Sequence, residues 1–411
     1  MLRQVNAPAK FLDKWSGHLF GRVLGGVARL FGVFGSRRLD GAPREILIIK
    51  FCCMGDAVLV VPSLRALRET FPGTRITMLC TPRTLAIFQD CEYLDEVRVF
   101  QLTGARGAVE FLTAGVPALF RTLAWLRGRH FDAAVDFDNY YNWTTFLSFF
   151  AGIPVRVGFD PPEQGRRFLL TPPVPYAGDR HMVEFYLDLP RAIGADTVRR
   201  DPALPVAPEA LAWAHEFLAT AGHAVGAAPL VALSPGRSEA WHFIRWSEEN
   251  FIAAGEALHR EFGAQVLLVG GKSEVEIAAR MASAFAARGV RVIDATGRSD
   301  LHQSKALLRV CDLLVCNDSG PMHLSAAVGT PTLAVFGPAN HWRWGPYGER
   351  HRVEREPLPC SPCLFMGKLG VCPAKELACL DVPRERVIAT ARDMLRKRPT
   401  GNSDSPRGVT A

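Results

Sequence analysis

The apolar residues of this chain fall into two trains of alternating short and long runs. ILIIK (46–50) is a short β-branched run and predicts a buried strand. Residues 57–70 carry a helical pattern that Phe71-Pro72-Gly73 closes. RITMLC (75–80) predicts a strand, 107–128 a long helix, AAVDF (133–137) a strand, and 142–152 an apolar helix before Ile153-Pro154. Residues 160–180 are rich in proline and glycine and read as a loop, and 181–194 as a helix. A mixed stretch, 195–229, holds one helix near 208–221. The alternation then restarts. Strands are predicted at LVALSP (230–235), QVLLVGG (265–271), RVIDAT (291–296), LLVCN (313–317) and TLAVFG (332–337), with helices at 247–262, 273–287, 303–310 and 321–328. Such alternation predicts an α/β protein with two doubly wound, parallel-sheet domains. Facing each other, they would leave a cleft at the carboxyl ends of their strands, where ligands bind.

The expected organisation is an arm at 1–44, a first Rossmann-like domain at 45–195, and a bridge at 196–229. A second Rossmann-like domain follows at 230–358, then a cysteine-containing segment at 359–398 and a polar tail at 399–411, expected to be disordered. Charge sharpens this picture. The formal net charge is +7, and residues 1–44 hold eight Lys/Arg against two Asp. The remainder is almost neutral, so the body offers no nucleic-acid surface. In the arm, Phe11, Trp15, Leu19, Val23, Val27, Leu30 and Phe34 recur every three or four residues beside Lys10, Lys14, Arg22, Arg29, Arg37 and Arg38. A basic amphipathic helix of this kind lies on an anionic membrane surface; the plainer alternative is a helix packed on the body. Arg22 and Arg29 speak against a transmembrane span. No secretory leader is evident, which points to the cytoplasm and makes the ten cysteines thiols or metal ligands rather than a disulfide framework.

Four motifs carry candidate chemistry. In Asn317-Asp318-Ser319-Gly320-Pro321-Met322-His323 a strand ends and a helix begins. Asp318 and Ser319 can cap that helix, Gly320 lets a ligand approach the backbone, and Pro321 suits the first turn. The first amides are then placed for phosphate, with His323 one turn in; ordinary strand–turn–helix capping is the alternative. Met54-Gly55-Asp56 follows the first strand, with Gly55 expected to make the turn and Asp56 to be either a cap or a catalytic base. Ser234-Pro235-Gly236-Arg237 leaves a strand toward Trp241, His242, Arg245 and Trp246, an aromatic and basic loop suited to a sugar or nucleotide phosphate, or simply a packed loop. Cys360-Ser361-Pro362-Cys363 with Cys372 and Cys379 could bind zinc or an iron–sulfur cluster, or stay as thiols. Cys52 and Cys53 read as small packing residues.

ILIIKFCCMGDAVLVVPSLRALRETFPGTRITMLC, HMVEFYLDLPRAIG, LVALSPG and LLVCNDSGPMHLSAAVGTPTLAVFGP together resemble glycosyltransferase family 9, the ADP-heptose:lipopolysaccharide heptosyltransferases, over about residues 45–395. The resemblance implies a GT-B fold with an N-terminal acceptor domain and a C-terminal nucleotide-sugar domain. It implies Asp56 as catalytic carboxylate and Asp318, Ser319, Gly320, Met322 and His323 as the donor loop, with Ser234 and Gly236 on the donor side. Where the family often has a lysine before the Arg/His-Trp pair, this chain has Ile244 followed by Arg245-Trp246, so either Arg245 takes the charge-stabilising role or the donor site differs from that of a standard heptosyltransferase.

The implied reaction is inverting transfer from a nucleotide-diphosphate sugar to a lipid-linked glycan acceptor at the inner face of the cytoplasmic membrane. It requires no bound cofactor for catalysis. A nucleotide-sugar epimerase or hydrolase on the same fold is an alternative, as is a binding protein that has lost catalysis. Asp56 argues against the last.

Overall fold

A computed structural model describes residues 39–397 apart from 102–112, 114, 140–141, 162–163, 237–242, 366–367, 371 and 374–376, together with Val23 and Gly26. The basic arm (Val23 and Gly26 apart), the loop residues Arg237, Trp241 and His242, and the tail from 398 lie outside the described residues. The chain divides into two compact units, Met1–Arg200 and Asp201–Ala411.

In the first unit, β1 (Glu45–Lys50), β2 (Arg75–Cys80), β3 (Glu96–Val99), β4 (Ala133–Asp136), β5 (Val155–Asp160) and β6 (Pro173–Pro175) form one sheet. Its order is β3-β2-β1-β4-β5-β6, and every pair is parallel. Ile46, Leu47, Ile48 and Ile49 of β1 are all wholly buried, as a parallel strand covered on both faces requires. Helices α1 (Met54–Thr70), α2 (Val116–Gly128), α3 (Trp143–Phe150) and α4 (Met182–Arg191) flank the sheet, with α4 packed on α1.

Three of these strands escaped the sequence pattern. β3 (EVRV) and β5 (VRVGFD) are interrupted by arginines. The arginine of β5, Arg156, is buried, and its Nε donates to the Leu169 carbonyl at 2.7 Å, so the hydrophobic run hides a cation bonded to backbone carbonyls. β6 lies inside the stretch read as loop. Both its end residues are prolines, tolerated because an edge strand can forgo a ladder donor.

The second unit repeats the design. Strands β7 (Leu230–Ser234), β8 (Gln265–Leu268), β9 (Val292–Asp294), β10 (Leu313–Asn317), β11 (Thr332–Phe336) and β12 (Arg352–Arg355) are ordered β12-β11-β10-β7-β8-β9, all parallel. Helices α5 (Pro208–Thr220), α6 (Glu248–Phe262), α7 (Val275–Ala287), α8 (Leu301–Val310), α9 (Gly320–Ala327) and α10 (Arg384–Arg396) surround it. Ser247 caps α6 through the Asn250 amide, and Gly263, with φ of 62°, ends it in the left-handed conformation. The helix α10 was not predicted. Its charged sequence hides a narrow stripe, Val387, Ala391 and Leu395, that completes the core around Trp246, Phe251 and Phe285.

Counted from its own first strand, each sheet has the same order. The winding reverses between β1 and β4 in the first unit and between β7 and β10 in the second. In a doubly wound sheet, a crevice opens beyond the carboxyl ends of the two strands at that reversal. Among the described residues no helix is long and apolar enough to cross a membrane.

Candidate active site

The motif residues gather at these two switch points. In the first unit, Lys50 ends β1 and Asp138 follows β4. The wholly buried Lys50 ammonium stands 3.5 Å from Asp138 Oδ1 and 3.8 Å from Asp56 Oδ2. It donates to the Tyr186 hydroxyl at 3.3 Å and the Phe137 carbonyl at 3.4 Å. Asp138 accepts from the amides of Phe51, at 2.6 Å, and Cys52, at 3.2 Å, so it pins the segment between β1 and α1. Behind it, Asp136 takes Arg166 at 2.5 Å and the hydroxyls of Thr144 and Thr145. Asp56 is in the first turn of α1 and buried to 8% exposure. Sequence reasoning singled out Asp56 but not Lys50, because a buried lysine at the end of an apolar run looks like the polar boundary of a strand.

Two local expectations are corrected. Gly55 does not make the turn: it lies within the first turn of α1, and the sharp backbone is at Cys53, with φ of 61°. Cys52 and Cys53 are not simple packing thiols, since they are joined as a vicinal pair with Cys53 exposed.

In the second unit, Asn317 ends β10 and knits the site together. Its Oδ1 accepts from the Trp246 amide and its Nδ2 donates to the Pro235 carbonyl, both at 2.8 Å. The loops after β7 and β10 are thus tied to each other. Ser319 occupies the N-cap of α9, yet its hydroxyl donates back to the Asn317 carbonyl at 3.2 Å and does not cap. The helix therefore begins without a side-chain acceptor from Ser319, contrary to the expectation for that residue. The space beside Gly320 is open for 4 Å. An anion could reach the first amides there. His323 is 5% exposed, and Met322 is wholly buried, supporting the turn from within.

Ser234 is the last residue of β7 and is buried. Gly236 lies against Glu274, with which any side chain there would collide, and Gly270 does the same from the end of β8. Glu274 is a residue that no motif in the sequence marks out. The structure sets it between two glycines beyond the carboxyl ends of β7 and β8, where it accepts from the Gly271 amide and burial raises its pKa. Two glycines facing one acidic residue were the available signal. Ile244 and Trp246 are wholly buried, and Arg245 between them turns to Glu248 at 3.4 Å. Position 244 is thus a core position here.

The cysteines of the C-terminal segment lie beyond β11. The Cys363 amide donates to the Pro338 carbonyl at 2.9 Å, and Cys379 lies beside Gly337. Burial, then the neighbouring thiols, pushes both thiols up, that of Cys379 to about 11. Cys360 and Cys372 are half-buried. Among the described residues no three His, Cys, Asp or Glu side chains are grouped to hold a metal ion.

Fold and site together define a protein of two Rossmann-like units. One carries a buried carboxylate–lysine cluster, and the other a helix N-terminus to which its cap residue makes no side-chain bond. The family model for glycosyltransferase family 9 (heptosyltransferase) matches residues 119–370, more than half of the chain, and the chain belongs to that family. Lipooligosaccharide heptosyltransferase 2 of Campylobacter jejuni is 30% identical over 170 residues, 41% of this chain and 51% of the relative. The matched region thus spans about half the length of that protein. Lipooligosaccharide heptosyltransferase 2 of Haemophilus ducreyi is 30% identical over 311 residues, 72% of this chain and 84% of the relative. The structure of the ADP-heptose lipopolysaccharide heptosyltransferase II of Escherichia coli superposes with a TM-score of 0.66 at 20% identity, covering 86% of this chain and 99% of that one. That likeness is one of fold, and the fold is GT-B.

Proposed function

We propose that the chain is an inverting glycosyltransferase that moves heptose from ADP-heptose to a lipid-linked glycan, lipopolysaccharide core. The observation that carries this reading is the placement of each motif at a switch point: Asp56 at that of the first sheet, the N-terminus of α9 at that of the second. In the reaction, Asp56 takes the proton from an acceptor hydroxyl as its oxygen attacks the anomeric carbon. The bond to the diphosphate breaks with inversion. Charge gathering on the leaving diphosphate is met by the amides of α9, by His323 and by Arg245 once it leaves Glu248. Glu274 accepts hydrogen bonds from the ribose hydroxyls, and the two glycines leave room for its carboxylate. Protein dipoles and cations carry the step without a cofactor.

The names of the relatives support the donor and acceptor, and the donor is open to direct test. In a thermal-shift panel of ADP-, UDP-, GDP- and CMP-sugars, ADP-heptose should be the one that raises Tm, since only a ligand preferring the folded state does so. A response to a different nucleotide alone would overturn the donor assignment. Glu274→Ala should raise KM for the donor about tenfold, the worth of one or two lost hydrogen bonds, with kcat little changed. An unchanged KM would remove Glu274 from the site.

A lipid-linked acceptor calls for a peripheral position on the inner face of the cytoplasmic membrane, and the basic amphipathic pattern of residues 1–44 supports it. The full chain should float with anionic vesicles and not with zwitterionic ones, and removing residues 1–44 should abolish flotation.

A further inference from the structure

A buried ammonium is strongly disfavoured unless it is paired, and Lys50 is wholly buried. Its surroundings account for it: two carboxylates within 4 Å, a phenol, a carbonyl, and the ring of Tyr186 with its centroid 5.3 Å away. One cation is therefore shared between Asp56 and Asp138. We propose that Lys50 is a positioning residue for the base, holding the Asp56 carboxylate aimed and ionised, while Asp138 tempers its pull. This rests on the reading of Asp56 as the base.

The charge count explains why two carboxylates serve better than one. Before transfer the cluster carries one positive and two negative charges. When Asp56 accepts the acceptor proton it becomes neutral, and Lys50 and Asp138 remain as a balanced pair. Proton transfer thus discharges a buried excess instead of creating one. With Lys50 alone, Asp56 would hold its charge too firmly to be an effective base. With Asp138 alone, like-charge repulsion would leave it protonated beforehand.

The other charged groups around the cluster have partners of their own. Asp136 is engaged by Arg166, Thr144 and Thr145. From α4, Tyr186 reaches Lys50, while Glu184 pairs with Arg200, Asp188 with Arg180 and Arg191, and Arg191 also with Asp196. Further along α1, Arg65 bonds to Tyr93 and the Arg199 carbonyl, Arg68 pairs with Asp95, and Glu69 pairs with Arg199. The paired Cys52 and Cys53 do not titrate.

The test is a carboxyl-carbon NMR titration of Asp56 in the full chain labelled at aspartate, without substrate, in wild type, Lys50→Met, Lys50→Arg and Asp138→Asn. Asp56 should titrate about one pH unit higher in Lys50→Met, close to wild type in Lys50→Arg, and lower in Asp138→Asn. The acid limb of kcat/KM against pH, measured with ADP-heptose and a lipid-linked core acceptor, should move the same way, so that the methionine variant loses most at low pH. An Asp56 titration unmoved in Lys50→Met and Asp138→Asn overturns the proposal, even if activity falls. Should Lys50→Met fail to fold, the downward shift in Asp138→Asn decides alone. A titration that shifts as expected in a protein that transfers no sugar upholds the cluster and overturns the assignment of Asp56 as base, which separates the two readings.

Discussion

Asp56→Asn is expected to lower kcat for sugar transfer by about 10²–10⁴-fold, the usual worth of a positioned general base. The substitution keeps size and shape but can no longer take a proton. It should leave folding intact, because Lys50 keeps Asp138 at 3.5 Å, the Tyr186 hydroxyl and the Phe137 carbonyl. Donor binding should also survive, since the phosphate-binding features are on the second unit's own loops. The check is kcat from nucleotide release, alongside calorimetric affinity for ADP and the melting temperature. A variant retaining full kcat would remove Asp56 from the chemistry. One that loses donor affinity together with kcat would show that the residue acts through structure.

Trp246→Ala should be the most damaging single change to stability, costing about 3–5 kcal/mol. The side chain is wholly buried against Phe251, ring centroids 5.0 Å apart and edge-on. Its indole N–H donates to the Val382 carbonyl at 2.8 Å, so truncation also leaves a buried acceptor without its donor. The loss should spread to the site as the backbone at 246 shifts into the cavity, because the amide there holds Asn317, and Asn317 holds the loop after β7. Urea unfolding of the second unit's transition reads the first effect, and the donor Kd reads the second. A destabilisation under about 1 kcal/mol would mean that the pocket collapses around the cavity far better than core sites normally do.

Much of this architecture is written in the pattern of apolar residues. The strands β1, β2, β4, β7, β8, β10 and β11 are continuous buried runs, and such runs announce a parallel sheet. Elements that failed to show share a cause: their buried residues are few or are interrupted by arginine, as in β5 and α10, and tertiary pairing rather than local preference forms them. The candidate site was half visible. Asp56 and the 317–323 loop stand at strand ends, where chemistry concentrates. Lys50, Asn317 and Glu274 act through partners distant in sequence, such as Asp138, Trp246 and Gly236, and no local spacing reveals those. Ser319 shows the opposite failure, a well-placed capping residue whose hydroxyl turns to a carbonyl instead.

The tie made by Asn317 has an implication for retargeting. Because the amide side chain that ends β10 clasps the loop after β7 near both of its ends, that loop and the β10–α9 turn behave as a single graftable cassette. Exchanging either segment by itself would leave the clasp with a mismatched partner. Moving the pair, clasp included, would transplant a recognition surface onto an unaltered β scaffold, a route by which natural drift or a protein engineer could change the preferred nucleotide without disturbing the half that carries Asp56.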